Sequence, residues 1–425
     1  MTETAARTPQ SRLRQLALVL GIFALSTVLA FATRDRKNDH RLASDEPEWI
    51  AISILHWQQF VEGAPPAGAE IEPGLRSPNV WAQGVQRTTF GYMNPCLPKL
   101  VWGGLLVAAG HDRASPYVFQ IFQQDAPERR RAAQAELMPA EPLARRVVLA
   151  LSALCATLLF FCARALVGGR AGAIGGAAAI ACWFASPLVQ STGSYLRTDM
   201  FMLPFCLAGL LVALQRARAT LGWGLLLGLC CGLAVSSKLN GGLLCVATAL
   251  WAGLAILREP PQWKRALVAL LVAAALTLAL FYALNPRLWG EPLEGVRDIL
   301  TRWDKLMAYF QDELAPRTRV AVARTLEERL ALFASTFGGG SFFAGYVGLG
   351  FALLGLGWAT VRAWGGCRHA RTLLVFVAVF VSGTILWLPL DWERFYLTAT
   401  PAIVLLEAAP LAYAAERLKR KPASA

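Results

Sequence analysis

Charged side chains are scarce in this sequence: Asp, Glu, Lys and Arg make up 16% of its 425 residues, against 56% hydrophobic. With a mean hydropathy of +0.44, that scarcity excludes an ordinary soluble domain, in which about a quarter of residues are charged. Histidine is nearly missing, and His40, His56 and His111 show no metal-ligand spacing; no Asp-x-Asp occurs either. Seven of the nine cysteines (Cys155, Cys162, Cys182, Cys206, Cys230, Cys231 and Cys245) lie inside apolar runs, where a thiol behaves as a small core residue. Neither a disulfide framework nor a zinc site follows. The formal charge of +13 is scattered between apolar runs, not gathered into a stripe interleaved with aromatics, so nucleic acid is not an expected partner.

What the chain does have is a series of membrane-length apolar runs. Arg7, Arg12 and Arg14 precede an uncharged run from Gln15 to Thr33, long enough to cross a hydrocarbon core of about 30 Å. No A-x-A cleavage site follows a short apolar core, so this run is expected to be a retained span. Residues 1–14 are then a cytoplasmic N-terminus and 15–33 the first span. In 34–146 charges, prolines and glycines return, giving a long extracytoplasmic loop with an acidic motif and interfacial helices. Within it, Glu48 to Phe60 reads as an amphipathic helix with Trp49, Ile52, Leu55 and Trp57 toward the bilayer and His56 and Gln59 toward water. Leu100 to Gly110 is too short to span and reads as interfacial. Residues 61–80 form a Pro/Gly-rich linker, and Asp125 to Glu141 a charged helix. Residues 147–286 hold spans 2–7, 287–341 a second extracytoplasmic loop, 342–415 spans 8–10 and 416–425 a cytoplasmic tail. Glu407 inside the last span reads as a packed or snorkelling side chain. The expected architecture is an all-α polytopic membrane protein with about ten transmembrane helices.

Basic residues set its orientation. With the N-terminus inside, the cytoplasmic segments hold Arg7, Arg12, Arg14, Arg164, Arg170, Arg216, Arg218, Arg258, Lys264, Arg265, Arg362, Arg368, Arg371, Arg417, Lys419, Arg420 and Lys421; the short outside connections hold Arg197, Lys238 and Arg394 alone. This asymmetry puts both termini in the cytoplasm. The three outside cations therefore do not serve topology, and each lies in an unusual context: Ser194 to Asp199, Ser236 to Gly241 and Asp391 to Tyr396. Any one of them alone reads equally well as snorkelling to headgroups. All three on the same face as Asp45 and Glu46 point to a shared anionic ligand, with Lys238 the most constrained because so few residues separate its two spans.

On these residues the chain resembles the C-type glycosyltransferase superfamily, in its bacterial branch of protein O-mannosyltransferase-like and aminoarabinose-transferase-like enzymes. Asp45-Glu46 matches the acidic motif after the first span. Asn94 to Lys99 resembles the His-Pro-Pro-Leu-Gly-Lys motif at Pro95, Leu97 and Lys99, and departs from it at Asn94, Cys96 and Pro98. Arg197-Thr198-Asp199 resembles an Arg-x-Asp before a span, Gly228 to Lys238 a Gly-rich span ending in Lys, and Glu393-Arg394-Phe395-Tyr396 the late Glu-Arg-Tyr-Tyr motif. The resemblance implies an integral protein of the bacterial inner membrane that acts at its outer face. Its donor would be a polyprenyl-phosphate sugar and its acceptor a lipid, glycan or protein hydroxyl.

Such a donor carries its own leaving group, so one base and several cations suffice, without the acid that glycoside hydrolysis needs. Asp45 is the expected base, with Glu46 positioning the acceptor or assisting. Lys238, Arg394 and Arg197 would hold the phosphate; Asp199 and Glu393 would orient these cations, supported by Tyr396, Asn94 and Lys99. Carboxylates also offer oxygen ligands to Mg²⁺ or Mn²⁺, and a divalent metal stays open. Trp289, Trp303, Tyr309 and Phe310 in the second loop read as interfacial anchors or sugar-stacking faces. Two other classes remain: a transporter or flippase, which would place charges near the midplane and show an internal repeat, and a lipid-diphosphate-dependent polymerase or ligase, separable by its donor.

Overall fold

A segment in hydrocarbon must pair its own backbone N–H and C=O groups, so long apolar runs close into helices. The computed structural model of this chain is accordingly all-helical in its regular structure. It describes residues 9–34, 46–61, 95–111, 135, 137–192, 195–215, 220–258, 260–285, 288–289, 292–297, 301, 308, 311–312, 321–338, 346–387 and 393–420. In chain order the α-helices are α1 (Pro9–Thr33), α2 (Glu46–Phe60), α3 (Leu97–Ala108), α4 (Glu141–Val167), α5 (Gly169–Ala185), α6 (Pro187–Thr192), α7 (Asp199–Gln215) and α8 (Leu221–Ser237). There follow α9 (Gly242–Arg258), α10 (Trp263–Ala283), α11 (Leu326–Gly338), α12 (Tyr346–Trp364), α13 (Arg368–Trp387), α14 (Glu393–Tyr396) and α15 (Thr400–Arg420).

Among the described residues, six stretches are long and apolar enough to cross a membrane: Leu13–Thr33, Met138–Val167, Leu239–Arg258, Pro260–Ala283, Val347–Trp364 and Arg368–Trp387. With several such helices the protein is a polytopic membrane protein. α5, α7 and α8, of 17 residues each, and α15 occupy the remaining positions where spans were expected. α4 lies at the centre against α1, α5 and α7; α8 packs on α7 and α10, and α15 on α5 and α12. In α8, Gly224, Gly228 and Gly232 recur every fourth residue against α10, and a Cβ on Gly224 would lie 2.3 Å from the Ala269 carbonyl oxygen. Lipid offers no hydrophobic drive to helix pairing, so such small-residue faces let two backbones meet closely. Glu407 is buried in α15, facing the Cys182 thiol of α5, which agrees with a packed side chain.

Two expectations are corrected. The uncharged run from Ala171 to Leu196, expected as one of spans 2–7, is not one helix: it stops at Ala185, Ser186 turns extended (φ −66°, ψ 117°), and the chain restarts as the short α6. Pro187 forces this, because its ring disfavours helical geometry at the residue before it. The second correction concerns α2. Trp49, Ile52 and Leu55 are 3%, 1% and 3% exposed and His56 only 4%, so the face assigned to the bilayer meets protein, and His56 does not face water. Its main partner is α3, itself packed on protein. α3 comes so near that a Cβ on Gly103 would sit 2.1 Å from the Ser53 carbonyl oxygen. Of the charged stretch Asp125 to Glu141, residues 125–134 and 136 lie outside the described residues.

Candidate active site

The break at Pro187 leaves a short connection, Tyr195 to Thr198, before α7 begins at Asp199. Asp199 is buried in the first helical turn, where the positive end of the helix dipole favours a carboxylate. Facing it, α8 ends at Ser237 and Lys238 adopts an extended backbone (φ −159°, ψ 142°). A 3₁₀ turn, Leu239–Gly241, then leads into α9. Gly241 makes the reversal tight: a Cβ there would lie 2.3 Å from the Ala234 backbone carbon. This geometry aims Lys238 inward, and its ammonium donates to Asp199 Oδ1.

Lys238 is nine-tenths buried. Burial pulls its pKa below the ordinary lysine value; the Asp199 carboxylate opposes that, while Arg394 and Arg197 pull in the same direction as burial. Those electrostatic contacts bring together four of the residues picked out by sequence: Arg197, Asp199, Lys238 and Arg394. Arg197 lies with its guanidinium 5.1 Å from the Tyr195 ring centroid, and its Nε is buried without a hydrogen-bond partner. Arg394, half-buried in α14, lies 5.4 Å from the Phe395 ring centroid. Tyr396, 1% exposed, packs against Phe333 and Phe337 of α11 at 6.4 and 6.1 Å. Arg329, also of α11, donates to the Leu386 carbonyl at the end of α13. Three cations against one carboxylate, among the described side chains, leave this set positive.

Asp45 and Asn94 lie outside the described residues, as does the side chain of Glu393. Glu46 opens α2 and is fully buried. Arg145 of α4 holds it in a fork, Nη2 to Oε2 at 2.7 Å and Nε to Oε1 at 3.1 Å, and the Leu196 backbone N–H donates to Oε1 at 3.1 Å. Arg145 also pairs with Glu141 at 2.6 Å. The acidic motif is therefore fastened to the residue immediately before Arg197. Sequence reasoning missed Arg145 and Glu141; their i, i+4 spacing was the available signal. Removing one partner of a buried pair strands the other charge. Arg145→Ala is expected to cost about 3–5 kcal/mol, read as a fall in thermal midpoint, whereas Arg145→Met combined with Glu46→Gln and Glu141→Gln, which leaves neither carboxylate stranded, should fall much less.

Lys99 is buried at 0% exposure in α3, with His56 and Cys96 as electrostatic neighbours. The Cys96 N–H donates to Asn285 Oδ1 at 3.1 Å, and Asn285 Nδ2 donates to the Phe281 carbonyl at 2.6 Å. The proline motif is thus tied to the end of α10. Burial and the nearby Lys99 ammonium lower the His56 pKa from 6.5 to about 3, so the imidazole stays neutral. Between those values the unfolded chain takes up a proton that the folded chain refuses. The stability contributed here is complete above pH 6.5 and is lost as pH falls toward 3. His56→Gln should flatten that acid slope, measured as unfolding midpoints from pH 7 to 4; an unchanged slope would show that other groups set it. Of the second-loop aromatics, Trp289 is described: it is 50% exposed, its indole N–H donating to the Tyr282 carbonyl at 2.9 Å. Trp303, Tyr309 and Phe310 lie outside the described residues.

Among the described residues no three of His, Cys, Asp and Glu converge as a metal set. Both Glu46 oxygens are engaged by Arg145 and the Leu196 N–H, so this carboxylate does not suit a metal.

No family model matches the sequence, and no curated protein sequence matches it. Among solved structures, the Archaeoglobus fulgidus oligosaccharyltransferase, tethered by a disulfide to an acceptor peptide containing the NVT sequon, is similar with a TM-score of 0.51 and 11% identity. The alignment covers 95% of this chain and 50% of that one. ArnT from Cupriavidus metallidurans bound to undecaprenyl phosphate gives 0.48 at 13% identity, covering 95% and 62%. AglB from Archaeoglobus fulgidus in complex with an inhibitory peptide and a dolichol-phosphate gives 0.48 at 10% identity, covering 96% and 51%. The chain thus spans half to 62% of the length of these proteins. Fold and similarity together give its class: a polytopic membrane protein that shares the fold of the Archaeoglobus fulgidus oligosaccharyltransferase.

Proposed function

We propose that the protein transfers a sugar from a polyprenyl-phosphate carrier to an acceptor hydroxyl at the extracytoplasmic membrane surface. The observation that carries this reading is the cationic set of buried Lys238 with half-buried Arg197 and Arg394, beside Asp199 at one end of the bundle. Preorganised cations out of water stabilise charge that grows on a leaving phosphate. The acceptor oxygen forms a bond to the anomeric carbon as the bond from that carbon to the phosphate oxygen breaks; the acceptor's proton goes to Asp45. Attack opposite the phosphate inverts the anomeric configuration. Glu46, held by Arg145 and the Leu196 N–H, acts as a positioning residue that keeps Asp45 in register with the Arg197 connection. Asp199 orients Lys238. The acceptor supplies a lipid, glycan or protein hydroxyl.

The test is transfer by purified protein given either a synthetic polyprenyl-phosphate sugar or the matching nucleotide sugar. Transfer from the lipid-linked donor with inverted product is expected. Efficient use of the nucleotide sugar alone, or a retained configuration, rejects the reading and favours a different transferase class.

The site must also face outward, in what we take to be a bacterial inner membrane. Reporter fusions after Ala425 and within 168–170 should give cytoplasmic signals, and fusions near 75 and 315 external ones. A cytoplasmic signal near 75 would put Asp45 on the wrong side.

A further inference from the structure

The bundle end opposite Lys238 carries a second cationic set that sugar transfer does not use. α9 begins beside Lys238 and runs 17 residues, about 25 Å at 1.5 Å per residue, to Arg258. There Arg258 stands in the electrostatic field of Arg371 and Arg368 on α13. Arg368 Nη2 donates to the Leu214 carbonyl in the last turn of α7 at 2.5 Å, and Arg371 Nε to the Ala363 carbonyl in the last turn of α12 at 2.8 Å. Both acceptors lie in the last turn of a helix, where carbonyls have lost their regular intrahelical partners. Arg258 has no such acceptor: its Nε and Nη2 are sealed from solvent without a hydrogen bond. None of the ion pairs among the described residues involves these three arginines. Desolvated guanidinium groups among like charges call for an anion.

The rim of the set identifies the anion's carrier. Leu257, Val361 and Trp364 are 77%, 72% and 90% exposed, which leaves an apolar flank with a tryptophan of the kind that sits at headgroup level. We propose that Arg258, Arg368 and Arg371 bind the head-group phosphodiester of an anionic phospholipid on the face opposite the transfer site, with its acyl chains along Leu257, Val361 and Trp364. Basic pockets between helix ends take such head groups by charge-assisted hydrogen bonds.

The test uses the full-length purified protein in native mass spectrometry with phosphatidylglycerol, phosphatidylcholine or inorganic phosphate. Wild type should retain phosphatidylglycerol at least about tenfold better than phosphatidylcholine. Arg258→Gln with Arg371→Gln should abolish that preference, while Arg170→Gln, an exposed arginine expected on the same face, leaves it intact. Because Arg371 also caps α12, Arg258→Gln alone keeps the test decisive if the double variant does not fold. Equal retention of phosphatidylglycerol by wild type and Arg258→Gln would overturn the proposal. So would displacement of the lipid by millimolar inorganic phosphate, which would make the ligand a free anion.

Discussion

Asp45→Asn is expected to lower sugar transfer by roughly 100-fold or more while leaving protein yield and donor binding unchanged. The substitution keeps the shape and the hydrogen-bonding capacity of the side chain but removes the group that takes the acceptor's proton. Its neighbour Glu46 is pinned to Arg145 and to the Leu196 N–H, an anchor that the substitution leaves intact. The loss should therefore appear in kcat and not in folding. Near-normal turnover would remove Asp45 from the mechanism.

Lys238→Ala should raise the KM for the lipid-linked donor by roughly 10- to 150-fold, the worth of a charge-assisted hydrogen bond of about 1.5–3 kcal/mol, with the KM for acceptor nearly unchanged. Lys238 also neutralises Asp199 inside the protein, so the single variant strands a carboxylate and is expected to lose stability. Lys238→Met with Asp199→Asn separates the two effects, since it removes both charges at once. It should recover the thermal midpoint but not donor use. Recovery of both would make the pair purely structural.

The motifs were legible where charge stood out against its surroundings. Arg197, Lys238 and Arg394 were each the lone cation of a short connection, and the fold brings them together around Asp199. Arg145 stood next to Arg146 at the end of the 34–146 loop, one basic residue among several there; its pairing with Glu46 depends on a contact across 99 residues. For α2, periodicity gave the apolar face correctly but not what it met. A Trp49–Ile52–Leu55 stripe suits lipid and protein equally, and the close approach at Gly103 decides the matter. The stop at Ala185 was written in Ser186-Pro187, yet hydropathy alone runs through it, because a proline changes geometry and not polarity.

The most direct measurement is equilibrium binding of a polyprenyl phosphate, the product of the proposed transfer, to purified protein in detergent, compared between wild type and the Lys238→Met, Asp199→Asn double variant. The account predicts saturable binding by wild type, weakened about tenfold or more in the variant and not competed by phosphatidylcholine. Equal affinity in the two proteins would contradict it.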